Sequence, residues 1–421
     1  MQKVRVLFIT PGPLLGGGAT VSLYRLIRYM DRQRYEPIVL CHEGSSTNPY
    51  AVKLHESGVR VLTLSNDKAG LSPGPKITSK ASARHVWVER LSAWKQRHPS
   101  VQAAYNVWRT CHHLAAVDWR RCMAIAYILK QQQINLVHLN HAVCKHRGDI
   151  MAARLIGVPC VGHVRVFDRF ETIDGPLLRS VDYFAYMSHA LQTHVQAWWP
   201  AAKGSVVYDG LDMADYSRLY DVAQMRAEMG LSSDDFVVGN VGRLVGWKGQ
   251  DIFIRALAAI SRQTPNLKAL IVGRPDPGQE SYLEELKALT IACGLERQVV
   301  FTGFCLEVPR LLSAMDVVVH SSSDPEPFGL VVIEGMAAGK PVVATRAGGP
   351  LESISDGVDG LLVPPGDSEA MARAILSLYQ DRERATDIGV RAREKALKQF
   401  AVQRFVTQMQ EIFESLLEAR R

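Results

Sequence analysis

Two glutamates eight residues apart, Glu326 and Glu334, flank the turn Pro327-Phe328-Gly329-Leu330 in a stretch rich in glycine and proline, 324–341. A helix starting after that turn aims Glu334 from its first turns, where a carboxylate can accept hydrogen bonds from both hydroxyls of a ribose. The N–H groups of Phe328, Gly329 and Leu330 at the helix start suit a phosphate or a sugar. Arg243 and Lys248 stand five residues apart in a second glycine-rich turn, 239–249, with a helix expected from Gln250. Two cations beside a helix N-terminus suit a diphosphate. A third cluster, Gly16-Gly17-Gly18, lies between an apolar run and a helical pattern, where glycine lets a ligand approach the backbone closely. It has neither the G-x-G-x-x-G spacing of a dinucleotide site nor the G-x-x-x-x-G-K-[ST] of a P-loop.

These residues need rigid elements behind them. Short apolar runs at 4–10, 37–41, 59–64, 136–140, 159–163, 183–188 and 204–208 read as strands. The rhythm restarts at 236–241 and continues at 268–273, 299–302, 317–320, 341–345 and 360–363. Helical patterns lie between them, as at 19–31, 50–56 and 149–155. Strands alternating with helices imply crossover units and parallel sheets. Two such series in 421 residues imply two doubly wound domains, with the seam in 211–232 and the ligand in the cleft between them.

The composition, 47% apolar and 22% charged, is that of a globular chain. No apolar run approaches the ~18–20 residues of a membrane-spanning helix, and the apolar start is too short for a signal peptide. Residues 1–205 carry 26 Lys and Arg against 12 Asp and Glu, whereas 206–421 are net acidic by 7. Much of the basic excess, 11 cations against two acids, falls in 68–130, where Trp87, Trp94, Tyr105, Trp108, Trp119 and Tyr127 are interleaved. Such a stretch suits an anionic membrane surface, or its aromatics pack on the first domain while its charges stay in water. No nucleic-acid motif accompanies the charge. The seven cysteines lack a C-x-x-C, which fits free thiols in a reducing compartment. The histidines at 112, 113, 138, 141 and 146 show no zinc-like spacing with a second cluster, so no metal is expected.

Six elements in this order resemble the family-4 retaining glycosyltransferases: the glycine loop at 16–18, Ser188 in Met187-Ser188-His189-Ala190-Leu191, and Val207-Tyr208-Asp209-Gly210-Leu211-Asp212. They continue with Gly242-Arg243-Leu244 and Lys248-Gly249, then Glu326-x7-Glu334, then Gly348-Gly349-Pro350-Leu351-Glu352 with Asp356-Gly357-Val358-Asp359-Gly360-Leu361-Leu362. The resemblance covers nearly everything outside about 67–133. It implies an α/β GT-B fold, two Rossmann-like parallel-sheet domains facing a cleft. The expected division is 1–212 for an acceptor-side domain with the insertion at about 67–133, 213–399 for a nucleotide-sugar domain, and 400–421 for a helix returning to the first. The family further implies that Arg243 and Lys248 bind the leaving diphosphate, that Glu334 binds ribose, and that Glu326 stands near the transferred sugar or the attacking hydroxyl. Gly17, Gly18, Phe328, Gly329 and Leu330 complete the donor cradle, and His163 falls where the family often has a histidine near the sugar. Asp209 stands where the family usually has Asn, a turn position.

The activity so implied is metal-independent, retaining transfer from a UDP- or GDP-linked sugar to a hydroxyl of a glycan or lipid-linked acceptor. It would take place in the cytoplasm, with peripheral attachment to the membrane, and need no cofactor. A phosphorylase or nucleotide-sugar epimerase on the same architecture, or a degenerate binder of anionic surfaces, are the competing readings.

Overall fold

The computed structural model describes residues 3–10, 17–41, 49–64, 114–171 and 174–420. They fall into two compact units. One comprises Met1–Ala185, His194–Ser205 and Gln410–Arg421; the other comprises Tyr186–Thr193 and Val206–Met409.

The first unit holds β1 (Val4–Thr10), β2 (Tyr35–Cys41), β3 (Arg60–Thr63), β4 (Leu136–His141), β5 (Cys160–Val164), β6 (Tyr183–Tyr186) and β7 (Gly204–Val206), the last residues of β6 and β7 counting with the second. Their order in the sheet is β3-β2-β1-β4-β5-β6-β7. The second holds β8 (Phe236–Val241), β9 (Leu267–Val272), β10 (Val299–Gly303), β11 (Val317–His320), β12 (Val342–Thr345) and β13 (Leu361–Val363), ordered β10-β9-β8-β11-β12-β13. β1 pairs in parallel with β2 and β4, and β8 with β9 and β11. In each sheet the chain winds outward from its first strand and then crosses back over it, so a topological switch point lies between β1 and β4 and another between β8 and β11. Ligands of doubly wound sheets bind at the carboxyl ends of the strands beside such a point.

Parallel strands covered by helices on both faces are apolar throughout rather than alternating. β1, Val-Arg-Val-Leu-Phe-Ile-Thr, accordingly buries every residue except Arg5. β1, β8 and β11 occupy the runs expected from the sequence; the other strands differ at their ends. β6 stops at Tyr186 because Ser188 leaves the strand pattern and its Oγ accepts the N–H of Leu191, 3.2 Å away, at the start of the helix His189–Trp198.

The final helix, Val402–Glu418, is divided between the units, residues from Gln410 onward counting with the first. There the Phe413 ring packs edge-on against Phe8, Tyr35 and His138. Arg34 donates to both oxygens of Glu414 at 2.8 and 2.7 Å, and the Tyr35 hydroxyl donates to the same carboxylate at 2.5 Å. The basic, aromatic-rich insertion lies outside the described residues as far as 113. Its end is the helix Trp119–Gln131, which buries Cys122, Ile125, Ala126 and Leu129 and leaves Trp119, Met123 and Tyr127, spaced four apart, largely exposed. Among the described residues no helix is long and apolar enough to cross a membrane.

Candidate active site

The second unit's switch point gathers the charged residues. β8 ends at Val241, and the loop after it carries Arg243 and the single turn Gly246–Lys248. β11 ends at His320, and the loop after it carries Ser321, Ser322 and Glu326. Asn240 ties the two strands together, its Nδ2 donating to Val319 O at 3.1 Å and Ser321 Oγ at 2.9 Å. Ser321 Oγ in turn donates to Lys248 O at 2.8 Å. Gly249, at φ +67°, lets the loops come this close: a Cβ there would lie 2.1 Å from Ser321 O.

Across this junction Lys248 Nζ meets Glu326 Oε2 at 2.5 Å. The same oxygen takes hydrogen bonds from His320 Nε2 at 3.1 Å and Ser322 Oγ at 3.1 Å. Burial by itself pushes the Glu326 carboxyl up, but Lys248 and His320 outweigh it and hold the carboxyl well below the usual range, so it is ionised. Lys248 also lies 4.3 Å from the Trp247 ring centroid. Arg243 stands half-exposed with its Nη1 2.5 Å from Asp276 Oδ2, and Gln250 Nε2 donates to the Arg243 carbonyl at 3.0 Å.

Behind Glu326 the chain enters the helix Leu330–Ala337 through Gly329 at φ +87°. Leu330 and its neighbours are the first amides of that helix, which have no acceptor within it. Gly348 and Gly349 admit this loop: a Cβ on Gly348 would lie 2.1 Å from Glu326 O, and one on Gly349 2.2 Å from Phe328 O. The Phe328 side chain is fully buried and stacks on Tyr208, centroids 5.6 Å apart, so only its backbone is available to a ligand. Glu334 is buried in the helix that follows.

Of the sequence-expected residues, the second unit therefore brings Lys248 onto Glu326, sets Phe328, Gly329 and Leu330 directly after it, and holds Arg243 on the Lys248 loop. His163, Gly17 and Gly18 belong to the first unit. His163 ends fully buried on β5, its Nδ1 3.2 Å from His138 Nε2 and 3.3 Å from Arg165 Nη2. Desolvation, with Arg165 and His138 adding to it, keeps the His163 imidazole neutral, well below its ordinary pKa. Arg165 also reaches Asn140 Oδ1 at 2.6 Å and Ser22 Oγ at 2.7 Å, and Asn140 Nδ2 reaches Ala19 O at 3.3 Å. These contacts link His163 to the helix Gly18–Tyr29 behind the glycine loop. At Gly17 the backbone is ordinary (φ −72°, ψ 164°), and among the described residues nothing lies within 4 Å of a Cβ placed there.

Residue reading missed His320, Ser322, Asn240 and Arg165. His320 ends a strand at the switch point, and that position was the available signal. It also missed the role of Glu352, whose oxygens accept the N–H groups of His189 at 2.9 Å and Ala190 at 3.0 Å and the Tyr208 hydroxyl at 3.1 Å. That one carboxylate joins three of the motifs read separately in the sequence. Among the described residues no group of three or more His, Cys, Asp or Glu could hold a metal ion.

Residues 221–395 match the family described as glycosyl transferases group 1. The lipopolysaccharide core biosynthesis mannosyltransferase LpsB of Rhizobium meliloti is 28% identical over 51% of this chain and 61% of its own length. The GDP-mannose-dependent alpha-(1-6)-phosphatidylinositol monomannoside mannosyltransferase of Mycolicibacterium smegmatis is 34% identical over 53% of this chain. The chain spans about three fifths of the length of these two curated relatives. Among solved structures, Anabaena Alr3699/HepE in complex with UDP superposes with a TM-score of 0.74 at 27% identity, covering 98% of this chain and 100% of that one. The same Anabaena protein is also known in complex with UDP-glucose. With two doubly wound parallel sheets and this likeness to the Anabaena structure, the chain has the GT-B fold, and its residues 221–395 match the glycosyl transferases group 1.

Proposed function

We propose that this protein transfers a sugar, with retention, from a UDP- or GDP-linked donor to a hydroxyl of a glycan or lipid-linked acceptor. The observation that carries the reading is the Lys248–Glu326 pair at the carboxyl ends of β8 and β11, beside the turn that opens the helix bearing Glu334. The Anabaena complexes with UDP and UDP-glucose support a nucleotide-sugar donor. In this reading Arg243 and Lys248 face the diphosphate and stabilise the charge that develops as it leaves; preorganised cations and amides are worth most at such a point. The amides of Phe328, Gly329 and Leu330 complete the cradle, and Glu334 takes the ribose hydroxyls. Glu326, ionised and fixed, faces the transferred sugar or the attacking hydroxyl. Two protein cations do the work of a divalent metal, so no metal is required. Gly17 and Gly18 border the substrate on the first unit in this reading, and His163 is the histidine proposed to serve the sugar there. The basic segment holds the protein to the cytoplasmic face of the membrane, where a lipid-linked acceptor lies.

The test is release of UDP or GDP from a panel of nucleotide sugars, with and without EDTA, set against phosphate-dependent cleavage. Nucleotide release unaffected by EDTA is expected. Turnover that requires added phosphate would point to a phosphorylase, and loss with EDTA restored by Mg²⁺ would overturn the metal-free mechanism.

A further inference from the structure

Glu326 is held on one side only. Its Oε2 receives Lys248 Nζ, His320 Nε2 and Ser322 Oγ, whereas among the described residues its Oε1 makes no hydrogen bond to the protein. A carboxylate only accepts, so His320 must carry its proton on Nε2. The other ring nitrogen, Nδ1, lies 3.2 Å from Thr345 Oγ1 at the end of β12, where the fully buried hydroxyl can donate to it. Ser322 Oγ, 3.0 Å from His320 Nε2, closes the cluster. The loop after β8, through Lys248, and the end of β11, through His320, thus meet on one oxygen of one carboxylate, and the end of β12, through Thr345, backs the histidine.

We infer that His320, in its Nε2–H tautomer set by Thr345, is a positioning residue that pins Glu326 Oε2 and so presents Oε1 to a hydroxyl of the bound sugar. The inference rests on the glycosyl-transfer reading for its substrate, but the tautomer and the pinning are properties of the chain itself. A histidine that merely fills the core would need neither a proton on Nε2 nor an acceptor there.

The experiment compares wild type with His320→Ala, His320→Gln and Thr345→Val in the full chain. Gln places an N–H donor where Nε2 stood; Ala does not. The expected result for His320→Ala is a fall of about 100-fold in kcat for nucleotide release, the scale of a misplaced reacting group, with UDP affinity unchanged. His320→Gln recovers most of that loss, and Thr345→Val gives a smaller fall. Equal kcat values for Ala and Gln, with both folded by circular dichroism, would overturn the inference, as would an unchanged kcat in Ala. An independent readout is the ¹⁵N spectrum of histidine-labelled protein, with the His320 signals assigned by their absence in His320→Gln. Wild type is expected to show a protonated Nε2 and an unprotonated Nδ1; the opposite tautomer sinks the inference. This spectrum decides the point even if no donor is turned over, a failure that would count against the glycosyl-transfer reading alone.

Discussion

Lys248 and Glu326 are 78 residues apart in the chain and 2.5 Å apart in space, both largely buried. Removing one partner of a buried pair leaves the other charge uncompensated, at about 3–5 kcal/mol. Lys248→Ala is therefore expected to destabilise the second unit by roughly 3 kcal/mol in urea unfolding. Glu326→Gln keeps the volume and an acceptor oxygen but leaves the Lys248 charge uncompensated, so it should cost a similar amount of stability, and nucleotide release should fall by about 100-fold. A Glu326→Gln protein with wild-type turnover would remove the residue from the mechanism. At the exposed Arg243–Asp276 pair the outcome differs. An ion pair half in water contributes little to folding, so Arg243→Ala should leave the unfolding midpoint nearly unchanged and weaken UDP binding in calorimetry.

At the scale of elements, the glycines separate into two kinds. Gly249 is required by the fold: φ is +67° and the β8 and β11 loops meet where its side chain would be. Gly249→Ala is expected to cost more than the ~1 kcal/mol of an ordinary strained glycine replacement, seen as a lower melting temperature. Gly17 has an ordinary φ and open space around it among the described residues. Gly17→Ala should stay within about 0.5 kcal/mol of wild type in stability. Any loss of activity in that variant then reports on ligand approach. A large stability loss in Gly17→Ala would show that the glycine serves the fold instead.

For the whole molecule, the buried histidines of the first unit couple stability to acid. Burial, with Arg165 and His146 adding to it, depresses His138 to about 3, and His163 is depressed as well. Both are neutral in the folded protein, whereas in the unfolded chain they take up protons below about 6.5. The folded state therefore keeps its full stability above pH 6.5 and loses it as pH falls from there toward 3, by about 2 kcal/mol at pH 5 from His138 alone. Urea midpoints at pH 7 and pH 5 should show this, and His138→Gln should flatten the dependence; an equal slope in that variant would place the titration elsewhere. The basic excess of residues 1–205 gives a second prediction, co-sedimentation with anionic but not neutral liposomes, weakening as salt rises. Equal binding to both lipids would dismiss the membrane role.

By itself the sequence determined the two strand series, the glycine turns that close them, and the acids and cations those turns carry. These are local properties: burial on both faces writes an apolar run, and a tight turn calls for glycine whatever its neighbours are. Tertiary structure alone decided which of those residues meet. β8 and β11 are neighbours only because the chain crosses back at the switch point, and this crossing puts Lys248 on Glu326 and His320 beneath it. The same long-range winding stacks Phe328 on Tyr208 and leaves only its backbone for a ligand, gives Glu352 the helix start at His189, and buries His163 under Arg165. Hydrogen-bond partners depend on the order of strands in the sheet, and no local pattern of residue types carries that order.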